Sequence, residues 1–567
     1  MHLILFIIFN FLFFLVGRGI VLIFQKTELR KIEIDSIKVF GVPLYIFYTL
    51  FSFIFISNLI FILNFFFPIK KVLVPIYLFL TLLVFLNLFN FPSFRNMKIK
   101  FYSFIIFPLF LSISSYGIWM GWDTGLYHLQ SQAWIRESNI VIGLSNLNVW
   151  LGWSSIYEYL SSIFWFENNY LYLHFLKIII YNFFYVFLLY NILFNQIKYL
   201  KFSSLGILLF SLLDNVGYLG GSNGFPTMLT VGKFDEVLGI FLFTTSVLIL
   251  TCIYQKSYKF NEMSILFFLS LFCFQLKQNG VTVIFLLLIY TYGYIKQNKI
   301  NFFAMLSKIK LQIFLGLLWI LKNFLITSCF YYPVSFTCFN FVDWYAIDSN
   351  YAATGWLIKA PIEFSSSLSI SDQVIRWLDE SKYDQYAYNF IFSIVIIFIA
   401  NKLFLTKINT PYSFGTKQII SLGYLIFLLY FWFNSNGANP RYGFGIWLIT
   451  VSMFYIDHER IRFKPFLLKY INLISTVTII LSVALVPRIY SYIAFIENPL
   501  VIAPIDLPWK SENPSFAGRV ETEYLKSNYG FGVYSTNGLC WNIHYCHHID
   551  KKIIFVQEGF FSKFLIP

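Results

Sequence analysis

Charge is what this sequence has least of. Only 12% of its 567 residues are Asp, Glu, Lys or Arg, where a soluble domain carries roughly 25%. That shortage excludes a chain built mainly of water-exposed domains. Zinc-type spacing is also missing from the six cysteines. Cys252 and Cys273 fall in hydrophobic runs, Cys329 and Cys338 flank one loop, and Cys540 and Cys546 share the tail. His547 and His548 after Cys546 make only a weak metal signature. No single basic face accompanies the net charge of +14. The cations sit in short clusters between hydrophobic runs, which argues against a nucleic-acid partner and fits the positive-inside rule. The first run, Leu3 to Phe24, has no basic start and is too long for a signal-peptide core, so it reads as a span. No convincing internal repeat is found, which tells against a carrier assembled from repeats.

What is present is hydrocarbon. The chain is 58% hydrophobic and 22% aromatic, with 71 Phe and a mean hydropathy of +0.69. A span takes about 20 apolar residues, and by that measure the sequence predicts an all-α polytopic bundle of about 14 spans in a lipid bilayer. They include Leu3–Phe24, Val72–Phe91, Phe101–Met120, Leu171–Phe194, a short pair Ser264–Leu276 and Val281–Ile295 that is either tilted or re-entrant, Leu311–Phe330, and finally Tyr470–Val486. One alternate set of loops carries most of the lysine and arginine, which makes it cytoplasmic. The N-terminus, the longer loops (121–170, 215–236, 331–386 and 434–443) and the tail from Arg488 then lie outside. On that side Cys329 with Cys338, and Cys540 with Cys546, meet a space where disulfides can form. Within the tail, Ile553 to Val556 reads as a short strand.

Four segments on that face carry chemistry. The first, Gly121 to Gln130, holds Asp123, Tyr127 and His128 just after a span. A carboxylate there suits a base for an acceptor hydroxyl, and an imidazole binds phosphate or shuttles a proton; the alternative is that Asp123 caps a helix starting at Thr124. Downstream, Ser154, Ser155, Glu158, Ser161 and Ser162 oppose Trp153, Tyr157, Leu160 and Phe164, the pattern of an amphipathic helix lying in the interface; the alternative is a further spanning helix with a polar stripe facing the bundle, which the later Lys/Arg bias disfavours. The second segment ends in Asp235 and Glu236 at the start of a span, where the helix dipole favours acids. The third places Lys322 within or at the end of a span, either as a functional cation at membrane depth or snorkelling to the interface, as Arg18 and Lys177 are expected to do. The fourth, Asn436 to Gly443, presents Arg441 and Tyr442 after Pro440, and arginine suits bidentate phosphate binding.

Taken in order, these segments resemble the motifs of GT-C glycosyltransferases, and most nearly those of uncharacterised multi-span bacterial proteins related to them. Trp122–His128 resembles the acidic motif of the first outer loop, and Lys233–Glu236 the second acidic motif. Trp319–Pro333 resembles a Trp-x-x-Arg-Asn…Tyr-Pro segment with Lys322 in place of arginine, and Pro440–Tyr442 the late Arg-Tyr motif. The resemblance covers residues 101–456. It divides the chain into extra N-terminal helices (1–100), a GT-C-like core with outer loops (101–487) and an extracytoplasmic segment (488–567). It implies an enzyme of the bacterial inner membrane that transfers sugar from a polyprenyl-phosphate donor to a glycan, lipid or protein acceptor during cell-envelope assembly. Asp123, His128 and Asp235 would be catalytic; Tyr127, Glu236, Lys322, Arg441 and Tyr442 would bind substrate. Some members use a divalent metal. Asp123 lacks the usual neighbouring carboxylate, so no metal ligand is assigned. A polysaccharide polymerase or ligase, or a transporter, is the alternative expectation.

Overall fold

The computed structural model describes residues 1–24, 35, 37–87, 97–121, 123–166, 170–216, 229–345, 375, 386–407, 415–436, 440–465 and 469–499, together with the backbone of five short strands between 523 and 565. Nine helices among them are long and apolar enough to cross a membrane. They are α1 (His2–Phe24), α2 (Leu44–Asn64), α3 (Met97–Gly117), α4 (Leu171–Leu193), α5 (Lys198–Val216), α6 (Asp235–Gln255), α7 (Gln278–Asn298), α8 (Lys310–Thr327) and α9 (Thr416–Phe433). Ile471–Ala484 and Ile489–Glu497 form a tenth candidate broken by a 73° bend. The protein is therefore a multi-pass membrane protein. The count among described residues is nine to ten, below the 14 expected, because several predicted spans form helices of 17 residues or fewer: Ile69–Phe85 and Phe260–Leu276.

Burial follows from composition. α4 and α6 are apolar on every face and occupy the centre, 94% and 100% buried, whereas α9 is 22% buried and turns Ile419, Leu422, Ile426 and Tyr430 outward. A helix apolar all round must be surrounded by protein or by lipid, and both cases occur here. Helices preceding residue 100 pack into the same core: Phe6 and Phe9 of α1 lie 5.4 and 5.8 Å from Phe175 of α4.

Alternation of the spans gives the bundle two unlike ends. At one, Lys417 pairs with Glu459 at 3.1 Å, Tyr199 packs on His458, and Leu405–Lys407 pairs with Ile461–Phe463. The lysines at the loop ends of α5, α6, α7 and α8 (Lys198, Lys256, Lys299 and Lys310) belong to this end. The other end gathers the N-terminus, where His2 stacks on Tyr116 at 4.4 Å, the close of α2, where Asn64 donates to the Ile135 and Ser138 carbonyls, and the loops after α3, before α6 and after α8. In the tail, Ile554–Glu558 pairs antiparallel with Phe561–Leu565, one residue from the expected strand.

Arg18 does not snorkel. It is 4% exposed and forks onto Asp35, with Asn87 Oδ1 accepting from the remaining arm at 3.0 Å. The expected interfacial helix is also absent from the surface. Ile156–Ser162 is wholly buried, capped by Ser155 and Glu158 in a reciprocal box. Its polar stripe faces protein groups and not headgroups.

Candidate functional site at one end of the bundle

Two short segments bring the site together. Trp119–Met120, which we call β1, follows α3; Thr230–Val231, β2, precedes α6. They pair in parallel, Trp119 with Thr230 and Met120 with Val231. Thr124 fastens the same junction by donating its hydroxyl to the Val231 carbonyl. Gly232 follows with φ +86°, a left-handed turn that favours glycine. The turn returns Lys233, Phe234, Asp235 and Glu236 to the segment that bears Asp123 and His128.

The result is a cluster of opposite charges. Asp123 Oδ2 lies 3.4 Å from Lys233 Nζ, both side chains about one-fifth exposed at 22% and 19%. Asp123 makes no side-chain cap bond to the helical turn Thr124–His128, so the capping reading gives way to an ion pair. Asp235 Oδ1 lies 2.7 Å from Lys277 Nζ, and that ammonium sits 3.9 Å from the centre of the Tyr442 ring. Lys277 reaches this position because the chain is extended there, between the end of Phe260–Leu276 and the start of α7. Glu236 pairs with Lys177 at 3.3 Å, 2% and 0% exposed. Lys177 also donates to the Thr230 carbonyl at 2.8 Å; it is an internal tie and does not reach the interface. His128 Nδ1 meets Glu158 Oε1 at 2.9 Å, again buried, while its ring packs edge-on to Phe234 at 5.1 Å. His128 Nε2 has no hydrogen-bond partner among the described residues.

Beside Asp235 lies a small cleft with a divided lining. Asp235, Asn279, Thr282 and Tyr442, near the starts of their helices, supply its polar lining; Leu238, Leu242, Phe431 and Ile446 supply its apolar lining. Its back wall is a backbone crossing. A Cβ on Gly445 would stand 3.0 Å from the Gly239 Cα, so α6 and the helix Pro440–Met453 touch there only because both residues are glycine. Phe431 belongs to α9, whose neighbouring Tyr430 is 69% exposed, so the cleft borders the lipid-facing surface.

Lys322 lies deeper. It is fully buried and donates to the Ser154 hydroxyl and to Asn323 Oδ1 at 3.2 Å, with the Trp319 ring 4.0 Å away. Of the eight expected residues, Asp123, His128, Tyr127, Asp235, Glu236 and Tyr442 are joined to the cluster through ion pairs, ring contacts or a shared helical turn, and Lys322 is buried against Ser154, ahead of the helix that bears Glu158. Arg441 stands next to Tyr442 in the first turn of its helix; its side chain lies outside the described residues. Lys233, Lys277 and Glu158 do not stand out in the sequence as site residues, and Glu158 reads there as part of a polar stripe that meets either the interface or the bundle. Their one early signal was a charge beside or within an apolar run. Among the described residues no group of three or more His, Cys, Asp or Glu comes together to hold a metal.

In the loop after α8, Cys329 and Cys338 form a disulfide. Cys540 and Cys546 lie outside the residues whose side chains are described. The bridged loop presents Tyr332, whose phenol burial pushes well above its ordinary range, keeping it a neutral donor to the Val149 carbonyl at 3.2 Å. We expect Cys329 and Cys338 to escape alkylation in the unfolded, unreduced chain and to react after reduction, whereas Cys252 and Cys273 react on unfolding alone. Peptide mass mapping reads the difference; alkylation of Cys329 without reductant contradicts the bridge.

No curated protein and no solved structure matches this chain. A family model does: residues 1–448, which contain Asp123, His128, Asp235, Lys277, Lys322 and Tyr442, match the family described as Domain of unknown function (DUF8201), and the chain belongs to that family.

Proposed function

We propose that this protein is a membrane glycosyltransferase that takes a sugar from a polyprenyl-phosphate donor at the outer face of the bacterial inner membrane. The observation that carries the reading is the cleft beside Asp235. A phosphorylated polyprenol has an anionic head and a long apolar tail. The cleft has Asn279, Thr282 and Tyr442 in its polar lining, with Lys277 against Tyr442 and Asp235, and Leu238, Leu242, Phe431 and Ile446 in its apolar lining, next to a lipid-facing helix. Such division of polar and apolar lining is what an amphiphilic ligand requires. The lysine-rich opposite end fits the cytoplasmic side, and the Cys329–Cys338 bridge fits an oxidising compartment at the site end. The ordered resemblance to GT-C motifs points the same way.

In this reading the acceptor hydroxyl oxygen attacks the anomeric carbon as the bond from that carbon to the phosphate oxygen breaks. The hydroxyl proton passes to Asp123. The electron pair leaves with the polyprenyl phosphate, where Lys277, Lys233 and Arg441 supply positive charge. Asp235 holds Lys277 beside the cleft. His128, oriented by Glu158, supports the Asp123 segment, and Glu236 and Lys322 hold the walls behind it.

The test is donor turnover. The full chain in nanodiscs, supplied with a panel of polyprenyl-phosphate hexoses and N-acetylhexosamines, should release free polyprenyl phosphate, read by chromatography. Lys277→Gln should raise the donor KM about ten- to a hundredfold with a smaller change in kcat, the scale of a lost charge-assisted hydrogen bond. Absence of release from every donor would defeat the proposal.

A further inference from the structure

Three half-buried aromatic rings gather beside the segment that begins at Asp123. Tyr127 is one turn along the helical segment that Asp123 opens. Its ring lies 6.0 Å from Trp150 with the planes 20° apart. Trp153 meets Trp150 edge-on at 5.5 Å. All three are partly exposed, which is unusual company for a region where most neighbours are buried.

These rings are held in place. Asn148 Oδ1 accepts from the Trp150 amide at 3.0 Å, and Asn148 Nδ2 donates to the Leu126 carbonyl and to Gln130 Oε1, both at 3.3 Å. One side chain thus ties the Trp150 turn to the segment bearing Tyr127. Behind the turn, Tyr332 donates to Val149, and Trp153 packs on the Cys329, Tyr332 and Cys338 cluster. Gly152 allows the approach: a Cβ there would come within 2.7 Å of the Tyr332 ring. Two nearly parallel rings with a third set across them form a rigid corner, and rigid aromatic surface binds with little ordering cost.

We propose that Tyr127, Trp150 and Trp153 receive a pyranose ring of the acceptor, so that the acceptor is a glycan and not a lipid or a protein hydroxyl. This assignment rests on the transferase reading above. A pyranose presents an apolar face of weakly positive C–H groups, which suits the negative face of an aromatic ring. Its edge carries hydroxyls, which need polar neighbours within reach, and Asp123 lies one helical turn from Tyr127. A ring seated on the corner places a hydroxyl toward the carboxylate that takes its proton.

The experiment uses the full chain in nanodiscs on an array of immobilised oligosaccharides with hexose, N-acetylhexosamine, deoxyhexose and uronic acid termini. Wild type should bind at least one class of terminal sugar. Trp150→Ala should weaken that binding about tenfold or more, and Trp150→Phe should recover a large part of it, the scale expected for losing and restoring one aromatic contact. Thermal unfolding of both variants shows whether the fold is retained. No binding to any glycan, or binding unchanged by Trp150→Ala, overturns the proposal. Donor turnover measured in parallel separates the two readings: release of polyprenyl phosphate without glycan binding removes only the glycan acceptor, and glycan binding without release removes only the transferase.

Discussion

Asp123→Asn should lower kcat for sugar transfer by about a hundred- to ten-thousandfold, the contribution of a positioned general base, while leaving the bundle folded. The two halves of that expectation come from the same geometry. Asparagine has nearly the shape of aspartate but accepts no proton at neutral pH. The side chain is 22% exposed and its lysine partner 19%, at a separation of 3.4 Å. The pair still reaches solvent, and asparagine keeps an oxygen that can accept from Lys233, so the loss should be on the order of 1 kcal/mol. Asp123 makes no side-chain cap bond to the turn Thr124–His128, so that turn does not lose a cap. The thermal midpoint should therefore move by only a few degrees, roughly what 1 kcal/mol yields in a chain this large. The donor KM should change little, because Asp123 acts on the acceptor. Turnover at the wild-type rate in the Asp123→Asn protein would remove Asp123 as the base, whatever the fate of the remaining scheme.

How much of this could be read in advance depends on the size of the signal. Spans announce themselves through long runs of apolar residues, and the predicted positions of Leu3–Phe24, Leu171–Phe194 and Leu311–Phe330 coincide with α1, α4 and α8 to within a few residues. The break expected around residues 275–280 is present at Lys277. Span number was less legible, since a helix of 17 residues and a full crossing look alike in hydropathy. The pairing of β1 with β2 left no trace in the sequence: two residues per strand are too few for any alternation to register. Yet that pairing brings the Asp123 and Asp235 segments together. The helix Ile156–Ser162 shows a different limit. A stripe of Ser and Glu opposite aromatic residues looks the same whether the stripe meets water or a buried histidine, and here Glu158 meets His128. Lys177 and Arg18 were visible as charges inside apolar runs. What periodicity could not supply was the partner, 59 residues away for Lys177 and 17 for Arg18, without which snorkelling was the simpler expectation.

The second large effect is on stability, and it isolates that unforeseen tie. Lys177 and Glu236 are 0% and 2% exposed and 3.3 Å apart, in the second turn of α4 and the first turn of α6, the two most buried spans. Lys177→Met leaves the Glu236 carboxylate enclosed without its cation; Glu236→Gln leaves the ammonium enclosed without its anion. Breaking a buried pair from one side costs about 3–5 kcal/mol, enough to strip most of the margin from a folded chain. Each single variant should be recovered in low yield, or unfold far below wild type in a detergent melt. The double variant removes both charges and fills the space with groups of similar volume, and such replacements are often near neutral. It should regain most of the lost midpoint, giving a double-mutant-cycle coupling close to the two single losses combined and opposite in sign. Restored stability need not restore function, because Lys177 also donates to the Thr230 carbonyl at 2.8 Å and so fixes β2 against β1. A folded double variant with depressed donor turnover would show that the pair positions the Asp123 and Asp235 segments as well as holding the spans. Single variants with wild-type midpoints would instead mean that Lys177 and Glu236 are not partners in the folded protein.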